Sequence, residues 1–284
     1  MKIAITGANG FIGGNLISVI WQNTIDVEII AIVRNASRVD IGNVRKLTIV
    51  QMDIHNPPDD VYQAIGSPDV LIHLAWGGLP NYNSLHHFES ELPTHYKFLS
   101  ELVKNGLKSL VVAGTCFEYG MQSGELEENM AAVPDNPYGF AKNTLREQLE
   151  YLQKEIEFNL TWTRLFYIYG NNQTGNSIFP QLKKAIENGD DTFNMSKGEQ
   201  IRDYLDVKRV AKNILDLAVL EEDIGIINIC SGAPISIKNH VEEWLEKYSW
   251  EIKLNLGHYP YPTHESLVFW GRNSKLKSYI DASS

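Results

Sequence analysis

The sequence predicts an α/β fold built on a doubly wound parallel sheet, with a small second lobe towards the C-terminus, on three observations. Across the first two-thirds of the 284 residues, short β-branched apolar runs alternate with longer amphipathic stretches, the pattern of βα units feeding a parallel sheet. A glycine-rich turn follows the first of these runs directly. After Gly170 the alternation gives way to a polar loop, Asn171-Asn172-Gln173-Thr174-Gly175-Asn176, and then to short mixed signals.

Strands are expected near Lys2–Thr6, Glu28–Val33, Leu47–Asp53, Val70–Ala75, Leu110–Gly114, Leu160–Tyr167 and Ile226–Ile229. Helices are expected near Phe11–Gln22, Leu85–Lys104, Tyr138–Lys154, Val207–Leu220 and Ile237–Tyr248. Because Asp206–Ile229 again reads as helix then strand, it rejoins the sheet. The main domain is therefore residues 1–170 plus 206–231, and the lobe is residues 171–205 plus 232–284. Tyr259, Pro260, Tyr261 and Pro262 make a stiff loop rather than a hinge.

With 43% hydrophobic residues the chain can bury a sizeable core. Its 25 basic and 35 acidic residues give a net charge of −10, which argues against a broad nucleic-acid or anionic-membrane surface. A small anionic ligand needs only a helix N-terminus and an arginine or two. Cys116 and Cys230 have no metal or redox spacing and read as reduced thiols. No apolar run reaches a membrane span and the N-terminus lacks a signal-peptide pattern, so a cytoplasmic protein is expected. His86 and His87 are adjacent and read as surface residues, and no metal site is expected.

Gly7, Gly10 and Gly13 sit in Thr6-Gly7-Ala8-Asn9-Gly10-Phe11-Ile12-Gly13, between a strand and an apolar-periodic helix. That placement suits a Rossmann dinucleotide site: a tight turn, backbone N–H groups close to a pyrophosphate, and close packing of helix on sheet. Phe11 and Ile12 open the helix at the anion. The second strand ends in Val33-Arg34-Asn35-Ala36-Ser37-Arg38, without the acidic residue that holds the adenosine ribose in NAD sites. Arg34 supplies a guanidinium for a 2′-phosphate instead and favours NADPH over NADH; Arg38 and the potential helix cap Ser37 follow it. Asp53 and Ile54, and then Leu74 and Ala75, lie at the carboxyl ends of the third and fourth strands, where ligands of such sheets gather. Asp53 suits the adenine amino group, whereas His73 has a buried structural role open to it as readily as a cofactor contact.

Asn136-Pro137-Tyr138-Gly139-Phe140-Ala141-Lys142 opens a helix, with Asn136 as N-cap and Pro137 at the first position. Tyr138 and Lys142 then lie one turn apart on one face. An ammonium and the helix dipole both favour the ionised phenol, making an acid/base pair. Thr115 ends the strand Leu110–Gly114 and offers a hydroxyl to the reacting oxygen. Thr115, Tyr138 and Lys142 are the candidate catalytic residues.

These residues, with His73-Leu74-Ala75, Tyr119-Gly120, Arg164 through Tyr169-Gly170 and Gly198-Glu199-Gln200-Ile201-Arg202-Asp203-Tyr204, resemble the extended short-chain dehydrogenase/reductases of the NAD-dependent epimerase/dehydratase family over nearly the whole chain. The resemblance implies that Thr115, Tyr138 and Lys142 are catalytic and contact the substrate or cofactor, that Lys142 also holds the nicotinamide ribose, and that Arg202 touches a substrate diphosphate. It also implies that the lobe binds a nucleotide-sugar substrate and that the chain forms a homodimer through the helices near Leu85–Lys104 and Tyr138–Lys154.

Three departures narrow the choice. The family's 4,6-dehydratases carry Asp-Glu after the threonine, where this chain has Cys116-Phe117. Arg34 and the short lobe speak against a 4-epimerase that retains NAD. Tyr167 stands where many members have an asparagine on the phosphate. The segments Gly114–Gly120 and His73–Pro80 are similar to those of deoxysugar-nucleotide 4-ketoreductases, including dTDP-6-deoxy-L-talose dehydrogenases. NADPH-dependent reduction of the C4 ketone of a nucleotide-linked 4-dehydro-6-deoxyhexose is the expected activity, with a sugar-nucleotide 4-epimerase or a non-catalytic NADP sensor as alternatives. In the lobe, Phe179, Arg272 and Asn273 are candidates for nucleotide contacts with equally good structural explanations.

Overall fold

The computed structural model describes residues 1–22, 26–36, 46–170, 172, 173, 175, 177–261 and 266–280. Ser37, Arg38, Asn171, Thr174, Asn176 and Pro262 lie outside the described residues.

Seven parallel strands form the central sheet: β1 (Lys2–Thr6), β2 (Glu28–Val33), β3 (Leu47–Gln51), β4 (Val70–His73), β5 (Ser109–Thr115), β6 (Asn159–Leu165) and β7 (Gly225–Ile229). Their order is β7-β6-β5-β4-β1-β2-β3. β1 pairs with β2 from Lys2↔Glu28 and with β4 from Ile3↔Val70, so the strand order reverses at β1. Continuous burial of β4 and β5 explains their unbroken apolar sequences, since helices cover both faces. On one face α1 (Phe11–Gln22) and α6 (Val207–Leu220) share a core with Ile3, Ile5 and Val70. On the other, α2 (Val61–Ala64), α3 (Leu92–Lys104) and α4 (Pro137–Gln153) pack on Ala4, Leu71 and Leu110.

Two expected strands are shorter and one is divided. β3 ends at Gln51 and β4 at His73, because Leu74 and Ala75 turn their amides to the Thr6 hydroxyl, at 3.1 and 3.2 Å. The single run expected from Leu160 to Tyr167 breaks at Phe166, after which Tyr167–Tyr169 leaves the sheet and pairs with Tyr204–Asp206. The expected helix from Leu85 starts as a π-helical turn, His87–Glu91, and becomes α-helical at Leu92.

Beyond Gly170, α5 (Ile178–Asn188) and α7 (Ile237–Tyr248) enclose a separate core of Phe179, Leu182, Phe193, Met195, Val241 and Trp244. A fourth cluster, with Cys116, Tyr119, Leu126, Phe166, Cys230 and Phe269, includes the residue after Thr115. The last described helix, α8 (Ser274–Ile280), returns to the sheet: Leu276 joins the α1/α6 core, and Lys275 Nζ donates to the carbonyls of Ile224 and Ile226 at 2.8 and 2.6 Å.

Candidate functional site

Where the strand order reverses, the carboxyl ends of the strands border a cleft of about 210 Å³, lined by Thr6, Gly7, Asn9, Gly10, Arg34, Ile54, His55, Leu74 to Gly77, Glu91 and His95 among others. The glycine turn is sterically required. Gly7 has φ +66°, and a Cβ there would stand 3.0 Å from Ala75 N. Gly10 N donates to Gly7 O at 2.8 Å, closing the turn. At Gly13 a Cβ would stand 2.3 Å from Gly7 O, so α1 meets the turn this closely only with glycine. α1 begins at Phe11, which places the amides of Phe11 and Ile12 among those without intrahelical partners at the turn. These features fit a dinucleotide: an open cleft with mixed apolar and polar walls, a backbone turn without side chains and a helix N-terminus.

Arg34 lines the cleft and is exposed. Ile54 and His55 line it as well, whereas Asp53 is not among the lining residues: its carboxylate is 56% exposed and accepts from the His55 amide at 3.1 Å and lies 3.2 Å from Nδ1. His73 is fully buried beneath the cleft, bonded to Thr6 Oγ1 at 2.9 Å.

Next to the cleft, Thr115 ends β5 and Tyr138 opens α4. The Asn136 side chain accepts from Gly139 N at 2.9 Å, and Pro137 occupies the first turn, as the cap sequence requires. The Thr115 hydroxyl accepts from Phe117 N at 3.3 Å and stands near enough to Tyr138 to favour its ionised form. One turn on, Lys142 Nζ donates to Ala113 O at 2.7 Å, stands 4.0 Å from the Trp76 ring centroid and 5.9 Å from that of Tyr138. The Tyr138 ring is surrounded by Trp76, Tyr82, His87 and Phe117, with centroids 5.2 to 6.4 Å away.

Burial reverses one expectation. Rather than an acidified phenol, Tyr138 is pushed well above its usual range, chiefly by desolvation and secondarily by Tyr82 and Glu118, against the nearby Thr115 hydroxyl. Lys142 is brought down to about 7 by the same desolvation, partly offset by Glu118 and Glu91. The phenol keeps its proton and the lysine titrates near neutrality.

Glu118, which sequence reasoning passed over, fixes the end of β5. Its carboxylate accepts from Thr115 N at 2.8 Å, Trp162 Nε1 at 2.9 Å and Arg164 Nε at 2.8 Å, with both members of the ion pair buried. A Cβ on Gly114 would meet Trp162 Nε1 at 2.3 Å, so the strand needs glycine there. Cys116 is buried in the fourth cluster and Phe117 packs on Tyr82 at 4.9 Å between ring centroids.

Arg202 is 1% exposed. It donates to Ile201 O at 2.9 Å, Leu267 O at 3.2 Å and the Tyr167 hydroxyl at 3.3 Å, with its guanidinium carbon 4.4 Å from the Phe269 ring centroid. Thus Tyr167 and Arg202 meet. Phe179 belongs to the lobe core, Asn273 bonds Ser231 O, and exposed Arg272 pairs with Glu127 at 2.6 Å. The histidine pair departs from its expected surface role: His86 is partly exposed, but His87 is fully buried, bonded through Nδ1 to Trp76 Nε1 and packed on Tyr138. The π-helical turn accounts for this, because its wider register carries His87 inward. Among the described residues no group of three or more His, Cys, Asp or Glu side chains is arranged to hold a metal, and no helix is long and apolar enough to cross a membrane.

The model of the NAD dependent epimerase/dehydratase family matches residues 3–230. The dTDP-6-deoxy-L-talose 4-dehydrogenase (NAD(+)) of Aggregatibacter actinomycetemcomitans is 31% identical, covering 95% of this chain and 99% of its own. The CDP-abequose synthase of Yersinia pseudotuberculosis is 25% identical, covering 99% and 98%. Among solved structures, a UDP-glucose-4-epimerase from Stenotrophomonas maltophila with bound NAD and formylated UDP-arabinopyranose superposes with a TM-score of 0.87 at 18% identity, covering 99% of this chain and 92% of that one, a likeness of fold.

Proposed function

Since the chain belongs to the NAD dependent epimerase/dehydratase family, we propose that it reduces the C4 ketone of a nucleotide-linked 4-dehydro-6-deoxyhexose with NADPH. The observation that carries this reading is the buried Tyr138, which keeps its proton, beside Lys142 and packed with it on Trp76, a residue that lines the cleft. The similarity to a dTDP-6-deoxy-L-talose 4-dehydrogenase and a CDP-abequose synthase supports the substrate class.

The cofactor is held by the Gly7–Gly13 turn, the amides of Phe11 and Ile12, Ile54, Leu74 and Ala75, with Asp53 at the rim. Arg34 takes the 2′-phosphate; Asn35 and Ala36 after it bring no carboxylate to compete. Bound NADPH supplies the hydride. The chain's own task is the proton: Tyr138 keeps it on Oη until negative charge develops on the substrate O4, and Thr115 donates a second hydrogen bond to that oxygen. Lys142, as ammonium, holds the ribose and compensates the phenolate left behind. Arg202 is the lobe's contact to the substrate diphosphate, α8 packs with the sheet domain rather than with the lobe, and a cytosolic homodimer through α3 and α4 completes the reading.

Dehydration is disfavoured by the residues after Thr115. Cys116 is turned into a core and Glu118 is committed to Arg164, so no free carboxylate stands beside Tyr138 from this segment. The test is incubation of the protein with dTDP-4-dehydro-6-deoxyglucose or its C5 epimer and NADPH or NADH. The expected outcome is oxidation of NADPH with formation of the nucleotide-linked 6-deoxyhexose bearing a C4 hydroxyl, faster than with NADH. Interconversion of 4-epimers with no net cofactor oxidation identifies the epimerase instead, and dinucleotide binding without either reaction identifies a sensor.

A further inference from the structure

Beneath the cleft runs a chain of hydrogen bonds between side chains that the proton transfer does not use. Thr6 Oγ1 and His73 Nδ1 are 2.9 Å apart, His73 Nε2 and His95 Nδ1 2.7 Å, and His95 Nε2 and Glu91 Oε2 3.0 Å. His73 and His95 are fully buried and Glu91 is 2% exposed. The direction of the chain is determined at both ends. At one end Thr6 Oγ1 already accepts the amides of Leu74 and Ala75, so its proton goes to His73 Nδ1. His73 then donates through Nε2 to His95 Nδ1, and His95 donates through Nε2 to the carboxylate. Both imidazoles are neutral Nε2–H tautomers in this arrangement, in keeping with burial that holds both below the usual histidine range.

Glu91 is the hub. The same oxygen that meets His95 accepts Gly77 N at 2.6 Å, and the other oxygen meets His55 Nε2 at 3.1 Å and His86 Nε2 at 2.9 Å. A Cβ on Gly77 would stand 2.7 Å from this carboxylate, so the approach depends on glycine. One carboxylate at the start of α3 thus ties together three walls of the cleft: the β1 end through Thr6, the segment 74–77 after β4, and the loop after β3 through His55.

We infer that Glu91, acting through His95 and His73, is a positioning residue that holds the cleft walls in the geometry that binds the dinucleotide; this rests on the dinucleotide reading above. Without the carboxylate, His95 loses its acceptor, the tautomers are no longer enforced, and the Leu74, Ala75 and Gly77 amides are no longer held from below.

The test compares Glu91→Leu, Glu91→Gln and the control Leu99→Ala, a buried α3 residue outside the chain of bonds. For each, NADPH affinity is measured by calorimetry, with kcat at saturating NADPH and the melting temperature. Glu91→Leu is expected to weaken NADPH binding about tenfold or more with kcat changed less than about threefold, and Glu91→Gln, whose one oxygen still serves Gly77 N and His95, to weaken it less. Leu99→Ala is expected to lower the melting temperature without changing NADPH affinity. Wild-type affinity in Glu91→Leu, or an equal loss in Leu99→Ala at equal destabilisation, overturns the inference. Should Glu91→Leu fail to fold, ¹⁵N spectra of the wild-type imidazoles decide: neutral Nε2–H tautomers for His73 and His95 at pH 7 are expected, and an imidazolium or Nδ1–H tautomer at His95 overturns the chain. Absence of NADPH binding in the wild type defeats the dinucleotide reading itself, whereas binding that Glu91→Leu leaves intact defeats only this inference.

Discussion

Tyr138 and Lys142 are separated by one helical turn, yet desolvation moves them in opposite directions and leaves a neutral phenol beside an amine that titrates near 7. Replacing Tyr138 by phenylalanine removes the proton and keeps the ring among Trp76, Tyr82 and His87. Turnover is expected to fall about a thousandfold while NADPH affinity stays within about threefold, measured by single-turnover kinetics and calorimetry. The ammonium form of Lys142 exists below its pKa of about 7, so kcat/KM for the dinucleotide, which reports the free enzyme, is expected to decline as pH rises through that value. Lys142→Arg should remove this limb; a limb unchanged in the variant would assign it to another group. The sequence disclosed this pair because cap, proline and spacing are local signals. It did not disclose Trp76 over Lys142, a contact between a β4 loop and α4, or the buried His87, whose register is altered by a π-helical turn that no periodic pattern marks. The four-residue spacing of Glu91 and His95 was present as a signal, but their partners His73 and Thr6 come from β4 and β1.

The turn between β1 and α1 and the turn after β5 place these groups, and each has one residue that tolerates little change. A methyl at Gly13 would lie inside contact distance of Gly7 O, forcing α1 away from the turn. Gly13→Ala is therefore expected to cost about 1–3 kcal/mol of stability and to weaken NADPH binding about tenfold or more, read by denaturant unfolding and calorimetry. After β5, removal of Glu118 leaves Arg164 buried with its partner gone; Glu118→Leu is expected to cost about 3–5 kcal/mol and to lower kcat by releasing the Thr115 backbone. An unchanged unfolding midpoint would show that Arg164 finds another acceptor. The glycine positions were legible because a turn between strand and helix has few solutions. The Glu118 role was not, because its three donors lie on β5 and β6, and strand pairing is a property of the folded sheet. The division of the expected Leu160–Tyr167 strand has the same origin: Tyr167–Tyr169 follows Tyr204–Asp206 rather than its own chain.

Alternation of strand and helix specified a doubly wound parallel sheet, whose strand order comes from the structure, but the way the polar interior sets the response of the whole molecule to pH depends on burial alone. His95 holds off its proton until about pH 4, against 6.5 when unfolded, so the unfolded chain binds more protons between these values and stability falls as pH decreases through them. Glu91 is held below its unfolded value of 4.5, and its contribution, present above that value, is lost on further acidification. Lys142 acts on the alkaline side: the unfolded amine stays protonated up to 10.5 while the folded one is neutral above about 7, so stability rises with pH across that interval. Tyr138 sets the upper bound, since the unfolded phenol ionises above 10 and the buried one does not. For the protein without ligand, stability is expected to climb from pH 4 to a maximum near about 9–10, on the alkaline side of the usual range. Thermal melts across pH 4–11 measure this directly. In Lys142→Met the rise between 7 and 10 should flatten while the acid loss remains, because His95 and Glu91 are untouched; a wild-type profile that is already flat above pH 7 would mean that Lys142 is charged in the folded protein, and that the Ala113 carbonyl and the Trp76 ring together outweigh its desolvation.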